Sequence, residues 1–269
     1  MNNFPSNPFS RRRRTAMAAT LAAAALALAG CGDDAGSGSD ETRLIKDGQL
    51  VVAMSGEFRP FSHYEDNELT GFDYDIGMAI GDEMGLDVKT ETGAFDTLIQ
   101  GLKSKRYDVL IASMTPTDKR EKAVDFTDSY YTSGATVFVK TDSDCEDPTK
   151  LDKPSVGVAT GTTYQDFLNG EDWVGKIRTF TSDVTALEDV DRGRLDAAMT
   201  DRLVGLYQIE QAERDLRVCG EPLYTEEPAF AVDKGNEGLA DELNEALAAI
   251  KEDGTYAEIS EKWFGQDIS

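Results

Sequence analysis

Histidine, cysteine and basic charge are scarce in this chain. Its 269 residues include one histidine and three cysteines. The single His63 cannot build a two-histidine metal site, and neither CxxC nor HExxH occurs, which sets zinc enzymes aside. His63 stands in the polar run His63-Tyr64-Glu65-Asp66-Asn67 and reads as an exposed loop residue rather than a catalytic base. No G-x-S-x-G nucleophile elbow is present. The stretch from Gly170 to Ile177 has the glycine and lysine spacing of a phosphate loop, but Ile177 stands where a Mg²⁺-binding hydroxyl belongs and no strand precedes it. That match is chance, and no metal or cofactor is expected. Lys and Arg number 27 against 51 Asp and Glu, for a formal charge of −24. A polyanion binder needs a net basic face, so nucleic acid is not an expected partner.

What is present begins with an address. All the basic residues of 1–30 are Arg11 to Arg14, and the apolar run Ala16 to Gly30 follows them. A charged n-region before an h-region too short to span a bilayer reads as an export signal over 1–30. Its end, Leu28-Ala29-Gly30-Cys31, resembles the lipobox of bacterial lipoproteins. That resemblance implies a lipidated Cys31 and anchorage at the outer face of the bacterial cell membrane. The adjacent arginines leave both the general and the twin-arginine export routes open. From Gly32 to Asp40 there is no apolar periodicity, so 31–43 reads as a flexible tether with a span of roughly 20 Å. No other apolar run is long enough to cross a membrane.

Cys145 and Cys219 remain, an even pair that in an exported protein reads as one disulfide, with two buried thiols as the alternative. Linking residues 74 apart stabilises by about 4 kcal/mol in the chain-entropy model.

Short β-branched runs alternate with amphipathic stretches, which predicts an α/β fold with a mostly parallel sheet. Leu50 to Ala53 reads as a strand, Asp75 to Met84 as a helix, Phe95 to Lys105 as a helix, and Asp108 to Ala112 as a strand. The pattern restarts at Ser155 to Ala159, with helices over Tyr164 to Leu168, Asp183 to Arg192 and Arg202 to Glu213 and a strand at Asp196 to Met199. Two extended segments, Tyr130 to Val139 and Tyr224 to Val232, bracket the second unit. One lobe inserted into another is therefore expected: 44–133 with 224–269, and 134–223 between them. A helix carrying Leu239, Leu243, Leu247 and Ile250 on one face, with Lys251 and Gly254 as stop signals, would return to the first lobe. Acidic residues are so numerous that Glu226-Glu227 reads as solvated surface charge. Asp73 and Asp75 are accounted for by the dipole of the helix they open.

Several motifs in order carry a family resemblance: Gly71-Phe72-Asp73-Tyr74-Asp75, Thr115 to Phe126, Gly161-Thr162-Thr163-Tyr164, and Asp253 to Gly265. From about Leu50 to Gly265 the chain resembles the extracytoplasmic solute-binding proteins of polar amino acid ABC transporters. That family's fold is two Rossmann-like α/β lobes joined by a two-strand hinge, the type II periplasmic-binding-protein fold, with a ligand enclosed between the lobes. By the resemblance, Arg120 clamps the α-carboxylate of an amino acid ligand, helped by Thr115, Ser113, Thr162 and Thr163. Asp201 receives its α-ammonium, and Phe58 and Phe95 sandwich its side chain.

Ser55 matches a position where many binders of basic or amide side chains carry Asp, and Ala159 one where some amide binders carry Lys. Both departures argue against glutamine or lysine. Glu57 lies near enough in sequence to add a charge. Thr160 to Tyr164 and Asp201-Arg202-Leu203 resemble the cystine-binding branch, which makes cystine or another polar L-amino acid the expected ligand. A membrane ABC permease is the implied protein partner of a monomeric receptor. Two alternatives stay open: a cyclohexadienyl or arogenate dehydratase on the same fold, and a ligand sensor.

Overall fold

In the computed structural model, residues 42–269 are described. The export signal, Cys31 and tether residues 32–41 lie outside the described residues. Thr42 and Arg43, expected in the tether, are already held by the folded chain. The Thr42 hydroxyl donates to Glu242 at 2.6 Å, and the Arg43 amide donates to the Asn236 side chain at 3.1 Å.

The chain opens with β1 (Gln49–Met54), β2 (Glu57–Phe58), β3 (Ser62–Glu65), β4 (Glu68–Thr70) and α1 (Phe72–Glu83). It continues through β5 (Asp87–Thr92), α2 (Leu98–Lys103), β6 (Val109–Met114), α3 (Asp118–Glu121) and β7 (Val124–Ser129). After a crossover come β8 (Ser133–Lys140), β9 (Ser155–Ala159), α4 (Thr163–Asn169), β10 (Lys176–Phe180) and α5 (Asp183–Asp191). Then follow β11 (Ala197–Asp201), α6 (Arg202–Glu210), β12 (Leu216–Glu226), β13 (Ala229–Asp233), α7 (Glu237–Glu252) and α8 (Thr255–Phe264).

These strands form two five-stranded sheets, ordered β5-β1-β6-β13-β7 and β10-β9-β11-β8-β12, and a three-stranded sheet, β2-β3-β4. In each, the strands joined through helices pair in parallel, and the strands bordering the crossovers pair antiparallel. β1 and β6 are buried along nearly their whole length, which is why they read as continuous apolar runs rather than alternating ones. β8 and β12 pair over Ser133 with Glu226 and Gly134 with Thr225. The two interlobe crossovers, 130–132 and 227–228, therefore leave the second sheet side by side, and the Tyr130 amide donates to the Pro228 carbonyl at 3.0 Å. The architecture is the two-lobed α/β hinge fold.

Cys145 and Cys219 form a disulfide, with Cα atoms 5.3 Å apart. α7 buries Leu239, Leu243, Leu247 and Ile250 against the first lobe. Gly254, at φ +91°, ends that run and lets α8 begin.

Gly71 shows why the first motif needs glycine. At φ +130°, an added Cβ would stand 2.1 Å from the Phe61 carbonyl oxygen. That close approach lets the Phe72 and Asp73 amides donate to the Pro60 and Phe61 carbonyls at 3.0 and 2.8 Å. The β2–β4 excursion is thereby docked on the start of α1.

Three polar residues are placed otherwise than the local sequence predicts. His63 is buried on β3, edge-on to Trp263 of α8 with ring centroids 5.8 Å apart. Burial, with the nearby Arg59 charge, lowers its pKa to about 4. Asp75 accepts from Trp263 Nε1 and Lys262 Nζ, each at 2.7 Å, so it docks α8 on α1. Asp73 is fully buried and accepts from the Tyr130 hydroxyl at 2.6 Å and from Ser113 Oγ at 3.1 Å. Burial pushes its carboxyl up to about 7 against those two hydrogen bonds. Contacts with residues some 40 to 200 positions away shape all three environments, so no local pattern revealed them.

Candidate ligand-binding site

A cavity of about 480 Å³, counting its mouth, lies between the two lobes. Of the residues expected to hold ligand, Ser55, Phe58, Phe95, Ser113, Thr115 and Arg120 line it from the first lobe, and Thr162 and Thr163 from the second. Phe58 stacks on Phe61 with centroids 5.2 Å apart, and Phe61 is itself stacked on Tyr131 of the first crossover. The aromatic wall is thus continuous with the hinge. Ser55 Oγ lies 3.2 Å from Ser62 Oγ and accepts from the Glu57 amide at 3.2 Å, which fixes the turn after β1.

Ser113 sits at the cavity end of β6 with φ +52°, a conformation uncommon for a side-chain-bearing residue. Its amide donates to the Tyr130 hydroxyl at 2.9 Å, and that hydroxyl donates in turn to Asp73. The buried carboxyl of α1 therefore reaches both the hinge and the cavity edge through one tyrosine.

Arg120 lies on α3, whose start is capped by Thr117 Oγ1 accepting the Arg120 amide at 3.2 Å. Its guanidinium donates to the Thr115 carbonyl at 2.6 Å and to the Gly161 carbonyl at 3.1 Å. It also lies over the Phe95 ring, 5.5 Å from the centroid. Burial lowers the Arg120 pKa, and the Glu226 charge opposes that. The Gly161 bond crosses the cleft, as does a second, from Ser182 Oγ to the Glu57 carbonyl at 2.8 Å. Gly161 has φ +79° and lies so close to Asp96 that a Cβ would stand 2.8 Å from the aspartate's own Cβ. Only glycine fits at this edge, where the two lobes meet beside the cavity.

Asp201, expected to receive the α-ammonium, is held differently from the other expected site residues. It is 1% exposed but does not line the cavity. Its Oδ1 accepts from Ser133 Oγ at 2.8 Å and from the Leu203 amide at 2.7 Å. The carboxylate is turned toward β8 and the start of α6, where it caps the helix. A different acid lines the cavity from the second lobe. Asp183, the first residue of α5, is 5% exposed, and its Oδ1 has no hydrogen-bond partner. Burial pushes its carboxyl up to about 7, partly offset by the nearby Thr200 hydroxyl.

Glu226 was also invisible as a site residue. It is 4% exposed and lines the cavity from the end of β12. Its Oε2 accepts from Thr115 Oγ1 at 2.8 Å, and its Oε1 accepts from Thr163 Oγ1. One carboxylate therefore engages a hydroxyl from each lobe. Thr162 is committed elsewhere, donating to the Ala159 carbonyl at 2.8 Å and capping α4. No local pattern marked Glu226, which is the last residue of β12, while its neighbour already belongs to the crossover. Glu227 is the exposed one.

Two hinged α/β lobes around a cleft lined by a half-buried guanidinium and two buried carboxylates define a binding protein for a small charged solute. Residues 50–266 match the bacterial extracellular solute-binding proteins, family 3, and the chain belongs to that family. It is 35% identical over 225 residues to the L-cystine-binding protein TcyJ of Escherichia coli, covering 82% of this chain and 85% of that protein. It is 34% identical over 223 residues to the arginine-binding periplasmic protein of Mannheimia haemolytica, covering 81% and 92%. Among solved structures, an ancestral arginine-binding protein bound to arginine superposes with a TM-score of 0.77 at 36% identity, over 81% of this chain and 99% of that one.

Proposed function

We propose that the protein is a lipid-anchored extracytoplasmic receptor that captures a polar L-amino acid between its lobes and delivers it to an ABC importer. The observation that carries this reading is that Arg120 and Asp183 line the same cavity, one from each lobe. An amino acid presents a carboxylate and an ammonium, and a dry cleft must pair both, because an unpaired buried charge costs several kcal/mol. Arg120 offers a planar fork for the carboxylate. Asp183, with an oxygen lacking any partner, takes the ammonium role that the motifs alone gave to Asp201. Cystine and arginine are what the named relatives bind. Anchorage rests on Cys31 and its lipobox-like surroundings, and delivery on family membership.

Thermal unfolding of the full chain against the L-amino acids, cystine and their D-enantiomers tests the reading. A ligand present at about 100 Kd adds roughly 2.7 kcal/mol of stability. A shift confined to a few L-forms is expected, and no shift with any amino acid would refute it.

A further inference from the structure

One end of the cavity holds a carboxylate of the protein itself. Glu226, the last residue of β12, accepts from Thr115 Oγ1 on Oε2 at 2.8 Å and from Thr163 Oγ1 on Oε1. Those two threonines and Arg120 are the groups assigned to the carboxylate of an amino acid ligand, and the Glu226 charge also bears on the Arg120 guanidinium. A threonine hydroxyl has one proton to donate, so while both donate to Glu226 neither can donate to a ligand.

A ligand carboxylate at this end meets two obstacles. Its hydroxyl donors are taken, and a buried carboxylate stands beside it, where two like charges repel with little solvent between them. Both obstacles go if Glu226 gives way, and the structure offers it a place. Besides the cavity, Glu226 lines a second recess of about 910 Å³, counting its mouth, whose wall includes the exposed Lys119. Thr115 and Thr163 line both spaces as well. The side chain thus stands on the partition between the binding cavity and a recess where a carboxylate can meet solvent and an ammonium.

We infer that Glu226 is a displaceable internal carboxylate: it holds the place of the ligand carboxylate on Thr115 and Thr163 and yields that place when an amino acid binds. Its bond to Thr115 also ties β12, at the hinge, to the first lobe. The exchange therefore passes a tie between the lobes from a carboxylate of the protein to one of the ligand. This role presupposes the amino acid receptor.

An α-carboxamide keeps the ammonium and side chain of an amino acid and removes only the charge at the end that Glu226 occupies. The L-amino acids, cystine included, are titrated calorimetrically into the full chain. Each binder is then titrated beside its α-amide into wild type, Glu226→Gln and Glu226→Ala, by displacement where the amide binds weakly. The preference for acid over amide is expected to rise about tenfold in Glu226→Gln, which keeps the size of the side chain and loses the charge. It should rise at least as far in Glu226→Ala, which frees both hydroxyls. Loss of a merely structural bridge would weaken acid and amide alike and leave their ratio where it was. An unchanged or falling ratio in Glu226→Gln overturns the displacement while leaving the receptor reading intact. Binding of no amino acid by wild type or variants overturns both.

Discussion

The Arg120 guanidinium of the first lobe donates to the Gly161 carbonyl of the second across 3.1 Å. The group assigned to the ligand carboxylate is thus also a tie between the lobes, so ligand contact and closure share one side chain. Arg120→Ala should weaken amino acid binding by roughly 3–5 kcal/mol, the cost of leaving a buried charge without its partner. The fold should persist, because α3 is a four-residue helix at the cleft edge rather than part of the core. Calorimetric titration with a melting curve checks this. Unchanged affinity would remove Arg120 from the site.

Asp183 and Asp201 are both buried, and both have carboxyls pushed up to about 7, yet they should fail differently when replaced. Asp183→Asn should weaken binding of amino acids while sparing analogues that lack the α-ammonium. Asp201→Ala should instead cost stability, about 1 kcal/mol for the lost α6 cap, and act equally on both ligand sets. The Asp183 role also has a pH signature. An ammonium pairs with the ionised carboxylate, so binding expels the proton that burial otherwise retains. Affinity should rise with pH up to about 7 and level off above it. A pH series that is flat from 5 to 8 would separate Asp183 from the ligand cation.

Much of this site was legible from motifs because Arg120, Thr115, Thr162, Thr163, Phe58 and Phe95 lie in short ordered stretches whose spacing carries their geometry. The alternation of β-branched and amphipathic segments likewise carried the two-lobed fold. Asp183, Glu226 and Asp73 were not legible as buried groups. Each is an ordinary acid at a helix start or strand end, and its burial is made by partners far along the chain. Asp201 shows the reverse. Its place after a strand matched a ligand position, but Ser133 on the hinge strand and the α6 amide took its oxygen. Where acids are this abundant, only the folded partners separate a site carboxylate from a helix cap.

Asp73 provides the sharpest test of such a buried acid, since it binds no ligand in this reading. Its carboxyl is raised from 3.8 to about 7 by burial. In the unfolded chain it ionises near pH 4, so between those values the native state holds a proton that the unfolded state has lost. The contribution of Asp73 is full below about pH 4 and is lost as pH rises through about 7, at about 1.4 kcal/mol for each pH unit between those limits. The stability of the wild type relative to Asp73→Asn should therefore fall, by a few kcal/mol at most, between pH 4 and 7. Urea unfolding midpoints at several pH values measure the difference directly. A difference that stays level, or that grows with pH, would mean the carboxyl is ionised in the folded protein. Tyr130 and Ser113 would then be stabilising an anion at the hinge rather than accompanying a neutral acid.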